Sequence, residues 1–209
     1  MVMMSRYPDK FFDLAVVDPP YGIGEDWKKR NKTKKSFSSG YKNDSIPGKH
    51  YFEELMRVSK SQVIWGYNYF TAFLGATNYL ICWDKASNYN DVFQYSQFEL
   101  AYTSLKRPAR LVKIPWDGYR MGRETGISKI HPHQKPIELY KWVMKYYAQP
   151  GDRILDTHLG SQSSRIAAHD MGFDFYGCEL DKKHFEEGCC RFDQHVRQLT
   201  VFTPSQLQL

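Results

Sequence analysis

The sequence predicts an α/β fold with a doubly wound, mostly parallel sheet, and two observations lead to this prediction. Short apolar runs such as Phe11–Val17 and Gln62–Trp65 have the length and composition of buried strands. Segments with apolar residues at helical spacing, such as Ile137–Tyr147, lie between several of these runs. Alternation of this kind is typical of parallel sheets with helices on both faces. The 209 residues, of which 42% are hydrophobic, are enough for one domain with its own core.

The elements are assigned in chain order from apolar spacing and from the residues that interrupt it. Strands are expected at Phe11–Val17, Gln62–Trp65, Tyr79–Trp83, Phe98–Tyr102, Arg153–Asp156 and Phe173–Cys178. Helices are expected at Lys49–Lys60, Ile137–Tyr147, Ser163–Met171 and Lys183–Leu199. Residues 84–97 and 105–130 are polar and lack a clear period, so we expect both to be irregular.

Charge and cysteine content narrow the class of protein. The net charge of +6 and the pI near 9.0 favour a polyanionic partner, because Lys and Arg neutralise phosphates. Six of the eight residues in Lys28–Lys35 are basic, which predicts a surface loop that either binds phosphates or is simply solvated. The four cysteines show neither a metal-ligand spacing nor a disulfide-rich density, and no stretch resembles a membrane span or a secretion signal. We therefore expect a cytoplasmic protein with free thiols and no bound metal.

A nucleoside pocket is predicted where the strand Arg153–Asp156 ends. Gly160 and Ser161 follow it in a short loop, and Glu179 ends the next strand, 23 residues after Asp156. In open α/β sheets, ligands bind outside the carboxyl ends of the strands, where a carboxylate can accept hydrogen bonds from ribose hydroxyls. A nicotinamide dinucleotide is disfavoured, because no G-x-G-x-x-G loop is present. The alternative is an ordinary turn glycine followed by a solvated acid.

The turn Asp18-Pro19-Pro20-Tyr21 has the groups needed to handle an aromatic amine. Proline fixes φ and leaves backbone carbonyls free, and the turn adds one carboxylate and one aromatic ring. A carboxylate and a carbonyl that accept both N–H bonds of such an amine localise its lone pair for attack. The Tyr21 ring could stack a base that has left a duplex. The alternative is an ordinary turn that ends a strand.

Three motifs together resemble those of the DNA amino-methyltransferases that act on adenine N6 or cytosine N4. Asp18-Pro19-Pro20-Tyr21 matches the catalytic motif, and His131-Pro132-His133-Gln134-Lys135-Pro136 is similar to H-P-T-Q-K-P. Asp156–Ser163, together with Glu179, is similar to the methionine- and ribose-binding segments. The catalytic motif comes first, which is the order of the β class. The resemblance implies a Rossmann-like, circularly permuted methyltransferase fold, S-adenosylmethionine as cofactor, DNA as substrate, and a place among enzymes such as those of restriction-modification systems.

The resemblance also implies roles for individual residues. The catalytic residues would be Asp18, Pro19, Pro20 and Tyr21. The cofactor would be held by Lys135, Pro136, Asp156, Thr157, His158, Gly160, Ser161, Ser163 and Glu179. Aspartate at the first catalytic position, where cytosine-N4 enzymes more often have serine, favours an adenine-specific enzyme. Gln162 stands where the family usually has glycine, which predicts weaker cofactor binding, and His133 replaces a threonine and is given no role.

DNA contacts are expected from two segments of the single domain 1–209. The basic loop 27–44 supplies Lys28, Lys29, Arg30, Lys32, Lys34 and Lys35, and a small target-recognition insert at 105–130 supplies Arg107, Arg110, Arg120 and Arg123. Because this insert is short, we expect a monomer or homodimer with a short or relaxed recognition site. The alternatives are an RNA or protein amino-methyltransferase, and a non-catalytic DNA-binding relative whose cofactor site is degraded.

Overall fold

A computed structural model describes residues 2–23, 45–86, 96–116, 124 and 129–201. The strands are β1 (Phe12–Val17), β2 (Ser59–Trp65), β3 (Leu80–Asp84), β4 (Phe98–Thr103), β5 (Arg110–Lys113), β6 (Arg153–Asp156) and β7 (Asp174–Gly177). The helices are α1 (Lys49–Val58), α2 (Tyr67–Leu74), α3 (Ile137–Tyr147), α4 (Ser163–Asp170) and α5 (Lys182–Val201), preceded by a short 3-10 helix at Met4–Arg6. No helix in these described ranges is long and apolar enough to cross a membrane.

The strands form one sheet in the order β5-β3-β4-β2-β1-β6-β7. Strand β1 pairs in parallel with β2 and β6, and β6 pairs in parallel with β7. Strand β4 is antiparallel to both β2 and β3, so it begins at the edge where they end. We call this edge, where β1, β2, β3, β6 and β7 end and β4 begins, the carboxyl edge. It therefore gathers residues that are far apart along the chain.

Apolar side chains of β1 alternate between two cores, one on each face of the sheet. Leu14 and Val16 are fully buried in a core that also contains side chains from α3 and α4. Ala15 and Val17 are fully buried in the second core, against side chains from α1 and α2. Burial on both faces is the pattern of a central strand in a doubly wound sheet. The predicted α/β fold class is confirmed.

Two elements differ from the sequence-based expectation. Helix α2 was not predicted, because Tyr67–Leu74 has only eight residues and several are aromatic, a composition more typical of strands. Strand β5 lies inside the stretch 105–130 that we expected to be irregular. Its four residues have three exposed side chains and one buried side chain, so an alternating apolar pattern is too short to detect. The proposed insert is thus partly an edge strand of the main sheet.

Candidate active site

The predicted catalytic turn lies directly beyond β1, at the carboxyl edge. The Tyr21 hydroxyl donates a hydrogen bond of 2.5 Å to Asp18 Oδ1. The Tyr21 ring lies against the backbone of Gly66, which has a φ of +78°. A Cβ at Gly66 would stand 2.2 Å from Tyr21 Cε1, so only glycine leaves room for this ring. The ring of Tyr69 in α2 stacks on Tyr21 with centroids 4.9 Å apart. Tyr21 is therefore held by the end of β2 and the start of α2.

A partly buried chain of alternating charges, with side chains that are 6–21% exposed, reaches Asp18 from the neighbouring elements. Lys135 Nζ lies 2.5 Å from Asp18 Oδ2 and 3.2 Å from Glu99 Oε2. Lys85 Nζ lies 2.7 Å from Glu99 Oε1. Glu99 is the second residue of β4, and the reversed direction of that strand brings it to this edge. The order of the side chains is thus Lys85, Glu99, Lys135, Asp18, with Tyr21 bonded to the last carboxylate.

The pKa values of the two central groups, Glu99 and Lys135, favour their ionised forms. Burial alone would raise the pKa of Glu99, but the charges of Lys135 and Lys85 lower it to about 2. Burial alone would lower the pKa of Lys135, but Asp18 and Glu99 raise it above its ordinary value. The motif resemblance implied that Lys135 flanks the cofactor. The structure places its ammonium group beside Asp18 of the predicted catalytic turn, and the role towards the cofactor stays a prediction.

The predicted cofactor loop leaves β6, the strand beside β1. Asp156 Oδ1 accepts a 2.9 Å hydrogen bond from the His158 N–H, and Oδ2 accepts a 2.6 Å bond from the Ser164 hydroxyl. Burial raises the pKa of the Asp156 carboxyl to about 7, although both hydrogen bonds oppose the shift. The hydroxyls of Thr157 and Tyr51 are 2.7 Å apart, which anchors the loop to α1. Asp156 is thus a desolvated carboxylate whose described hydrogen bonds come from neutral groups.

Glu179 closes the loop from the end of β7. Its Oε2 accepts a 2.8 Å hydrogen bond from the Gly160 N–H. Its Oε1 accepts bonds of 2.8 and 3.0 Å from the Leu180 and Asp181 N–H groups. The imidazole of His131 lies over Gly160, and a Cβ there would stand 3.3 Å from the ring. Burial lowers the pKa of His131 to about 3, so this ring is neutral. The structure therefore brings the loop, Glu179 and the start of the H-P-H-Q-K-P segment together.

Gln162 adopts the left-handed backbone conformation, with a φ of +59°, which glycine adopts at least cost. Its side chain is fully buried and is directed towards α4 and α5. Nε2 donates a 3.1 Å bond to the Phe185 carbonyl, and Oε1 accepts a 2.8 Å bond from Arg165. Gly188 of α5 makes room for it, since a Cβ there would stand 2.7 Å from Gln162 Cγ. The described contacts of the Gln162 side chain are thus with α4 and α5. The weaker cofactor binding expected from this residue stays a prediction.

Sequence reasoning missed an arginine and a glutamate that brace this loop. Arg191 of α5 donates bonds of 2.7 Å to the Ser161 carbonyl and 2.9 Å to the Ser163 hydroxyl. It also donates a 2.8 Å bond to Glu124, which accepts a 2.8 Å bond from the Ile137 N–H at the start of α3. Neither residue belongs to a recognisable motif. The brace links the cofactor loop to the segment that carries Lys135 and Pro136.

Arg107 and Arg110 are the predicted DNA-contacting residues that the structure describes, and both contact Tyr146. Arg107 donates a hydrogen bond to the Tyr146 carbonyl, and Arg110 lies over the Tyr146 ring at 4.7 Å from its centroid. Tyr146 is in the last turn of α3, about 14 Å along the helix axis from Ile137, which follows the segment that carries Lys135. The remaining predicted contacts lie outside the described residues: Lys28, Lys29, Arg30, Lys32, Lys34, Lys35, Arg120 and Arg123.

Comparison with known proteins identifies the family. The sequence matches the DNA methylase family N6_N4_Mtase over residues 48–188, more than half of the chain. The chain belongs to this family. The matched segment contains the H-P-H-Q-K-P segment, the cofactor loop and Glu179, and the turn that begins at Asp18 precedes it. The family predicted from the motifs is thereby confirmed.

One curated protein and two solved structures illustrate what this DNA methylase is similar to. It is 24% identical to DNA adenine methyltransferase YhdJ of Escherichia coli (strain K12), across 91% of this chain and 79% of that protein. Its fold resembles that of a putative DNA modification methylase from Thermus thermophilus complexed with S-adenosylmethionine (TM-score 0.60, 17% identity, 93% of this chain and 90% of that one). It also resembles PvuII DNA methyltransferase, which is cytosine-N4-specific (TM-score 0.60, 12% identity, 93% and 86%). The solved structures support the fold.

The fit between Gln162 and Gly188 can be tested with a double-mutant cycle. Gly188→Ala should lower the free energy of unfolding by about 1–3 kcal/mol, because the new methyl group overlaps the buried Gln162 side chain. In a Gln162→Gly background the same substitution should be neutral or stabilising, since alanine favours helix α5 by about 1 kcal/mol. Urea unfolding of the four proteins measures the coupling. Equal effects in both backgrounds would show that the two positions are independent.

The desolvated Asp156 predicts a pH-dependent stability. Its folded pKa of about 7 exceeds the ordinary value of 3.8, so the folded state binds more protons between these values. Stability should therefore fall as the pH rises from about 4 to 7, relative to an Asp156→Asn variant that cannot titrate. Chemical unfolding of both proteins at several pH values isolates this difference. A difference that stays constant across the range would contradict the raised pKa.

Proposed function

We propose that this DNA methylase transfers a methyl group from S-adenosylmethionine to N6 of adenine in DNA. The observation that carries the proposal is the adjacency of two loops at the carboxyl edge. Asp18 follows β1 and the Asp156–Ser163 loop follows β6, and these strands are hydrogen-bonded neighbours. A group bound by the second loop is therefore next to the turn that holds the amine. Methyl transfer needs this proximity and alignment of donor and acceptor.

The residues of the cofactor loop fit S-adenosylmethionine. A cationic amino group near Asp156 would offset the cost of a buried carboxylate that receives only neutral hydrogen bonds. Glu179 accepts three backbone N–H bonds, which leaves about one of its four lone-pair sites, on Oε2, for a ribose hydroxyl. The next side chain, Leu180, is 84% exposed, so it offers an apolar surface for the adenine ring. When bound, the cofactor supplies an electrophilic methyl group on a sulfonium.

The catalytic turn prepares the amine for attack. The Asp18 carboxylate and the Pro19 carbonyl accept the two N–H bonds of the amino group, which keeps the nitrogen lone pair out of the aromatic ring. Attack on the methyl carbon would break its bond to the sulfonium sulfur and leave a neutral thioether, and the nitrogen would pass one proton to the Asp18 carboxylate. The base would stack on the Tyr21 ring. Catalysis thus depends on the position of the amino group and on its electrostatic interaction with the Asp18 carboxylate and the Pro19 carbonyl.

Two observations support adenine as the target. The first catalytic residue is an aspartate, which the family resemblance associates with adenine enzymes. The relative YhdJ is named as a DNA adenine methyltransferase and aligns with 91% of this chain. Cytosine presents the same kind of amino group, so N4 of cytosine is the alternative product.

The product identifies the reaction directly. Incubation of the protein with unmethylated duplex DNA and S-adenosylmethionine carrying a labelled methyl group should give labelled N6-methyladenine after nucleoside digestion and mass analysis. Labelled N4-methylcytosine would show that the target base is cytosine instead of adenine, and the proposed methyl transfer to DNA would still hold. Label found only in RNA or in protein would overturn DNA as the substrate. No labelled product together with no cofactor binding by calorimetry would overturn the proposed activity.

Substitution of Asp18 separates catalysis from cofactor binding. Asp18→Ala should lower the methyl-transfer rate by about 100- to 1,000-fold, since one acceptor for the developing charge is lost. Its affinity for S-adenosylmethionine should stay close to that of the wild type, because the cofactor loop follows another strand. Asp9→Ala, which removes a carboxylate that is 75% exposed, is the matched control and should retain activity. Full turnover by a folded Asp18→Ala variant would remove Asp18 from the mechanism.

A further inference from the structure

The ion pair at the catalytic turn presents a hydrogen-bond acceptor and a donor side by side. We propose that Lys135, positioned by Glu99, reads the ring nitrogen next to the target amino group while Asp18 accepts an N–H of that group. This inference rests on the proposed function and deepens it, because it assigns the residue that recognises the target base. In adenine the ring nitrogen is N1, and in cytosine it is N3.

The position of the ammonium group supports this assignment. Lys135 Nζ lies 2.5 Å from Asp18 Oδ2 and 5.5 Å from the centroid of the Tyr21 ring. It therefore stands over the ring on which the base stacks and beside the carboxylate that receives the amine. Its side chain is 6% exposed, so few water molecules compete for its N–H groups. A hydrogen bond donated by this buried group is stronger than the same bond at the surface, because the local dielectric is lower.

Lys135 also has an N–H available for the base. A lysine ammonium has three donors and no acceptor. Two of them face Asp18 at 2.5 Å and Glu99 at 3.2 Å. The third faces the Tyr21 hydroxyl at 3.3 Å, which is a long contact, and that hydroxyl already donates to Asp18. A ring nitrogen can take the place of this third contact without loss of either ion pair.

Glu99 is the positioning residue for Lys135. Its Oε2 is buried and lacks a hydrogen bond of good geometry, yet it lies 3.2 Å from Lys135 Nζ. Lys85 holds the other carboxylate oxygen at 2.7 Å. Glu99 thus gives the Lys135 ammonium a second carboxylate partner besides Asp18. Without Glu99, the ammonium would have to share the Asp18 carboxylate with the amino group of an incoming base.

The pair selects a particular base edge. Adenine and cytosine both carry an amino donor next to a ring-nitrogen acceptor, which complements a carboxylate next to an ammonium. Guanine carries N1–H on one side of its amino group, which would place a donor against the Lys135 donor, and its other neighbour, N3, lies next to the sugar. Thymine has no amino group for Asp18. A carboxylate alone would accept either kind of amino edge, whereas the added lysine disfavours the N1–H edge of guanine.

A base analogue tests the contact. Two duplexes carry the methylation site mapped for the wild type, one with adenine and the other with 1-deazaadenine, which keeps the amino group but has a C–H in place of N1. The analogue also changes base pairing and amine reactivity, but these changes are common to all enzyme variants. The measured quantity is the ratio of kcat/KM on adenine to kcat/KM on the analogue.

Lys135 should account for most of this ratio. The wild-type ratio should exceed that of Lys135→Met by roughly 10- to 100-fold, the usual effect of one hydrogen bond to a charged group. Glu99→Gln should lower the ratio by a smaller factor and leave S-adenosylmethionine affinity unchanged. Lys60→Met is the matched control with the wild-type ratio, because Lys60 pairs with Asp13 at the opposite edge of the sheet.

The possible outcomes separate this inference from the proposed function. Equal ratios for the wild type and a folded Lys135→Met variant would overturn the reading of N1 and leave methyl transfer intact. If Lys135→Met does not fold, an unchanged ratio in Glu99→Gln would overturn the positioning role and with it the proposal. If the wild type methylates neither duplex, the proposed function itself fails.

Discussion

The parallel pairing of β1 with both β2 and β6 is the constraint on which the site depends. It places the turn after β1 between Gly66 on one side and the cofactor loop on the other. The position of β1 is fixed by burial on both faces, since Leu14, Ala15, Val16 and Val17 are all fully buried. A shift of register by one residue would move each of these side chains to the wrong core. Packing in the interior therefore determines the geometry at the edge.

Four charged side chains at the same edge compensate one another, so the stability of the fold depends on the complete set. Lys85, Glu99, Lys135 and Asp18 alternate in sign, so the buried chain has no net charge. Removal of one member of a buried ion pair leaves the other uncompensated and typically costs about 3–5 kcal/mol. Isosteric neutral substitutions disturb such a chain less than truncations do. A substitution at this edge therefore affects both function and stability. The exposed ion pair of Lys49 and Glu53 differs, because a surface pair contributes little to stability.

The sequence predicted what depends on local signals and missed what depends on long-range direction. The turn after β1 and the loop after β6 were located because apolar runs and their interrupting residues are adjacent in the chain. Glu99 was missed because composition does not reveal that β4 runs antiparallel, and this reversal alone brings it to Lys135, 36 residues later. Gly66 was missed because the ring that requires it belongs to Tyr21, 45 residues earlier.

The H-P-H-Q-K-P segment shows how the two halves of the site are kept in register. At one end, the His131 ring lies over Gly160 of the cofactor loop. At the other end, Lys135 bonds to Asp18, while the Gln134 carbonyl accepts a 2.8 Å bond from the Trp116 indole between them. One short segment thus touches both the loop after β6 and the turn after β1. Because transfer in line depends on small displacements of donor and acceptor, this segment would, in the proposed function, keep the two loops aligned without touching the methyl group.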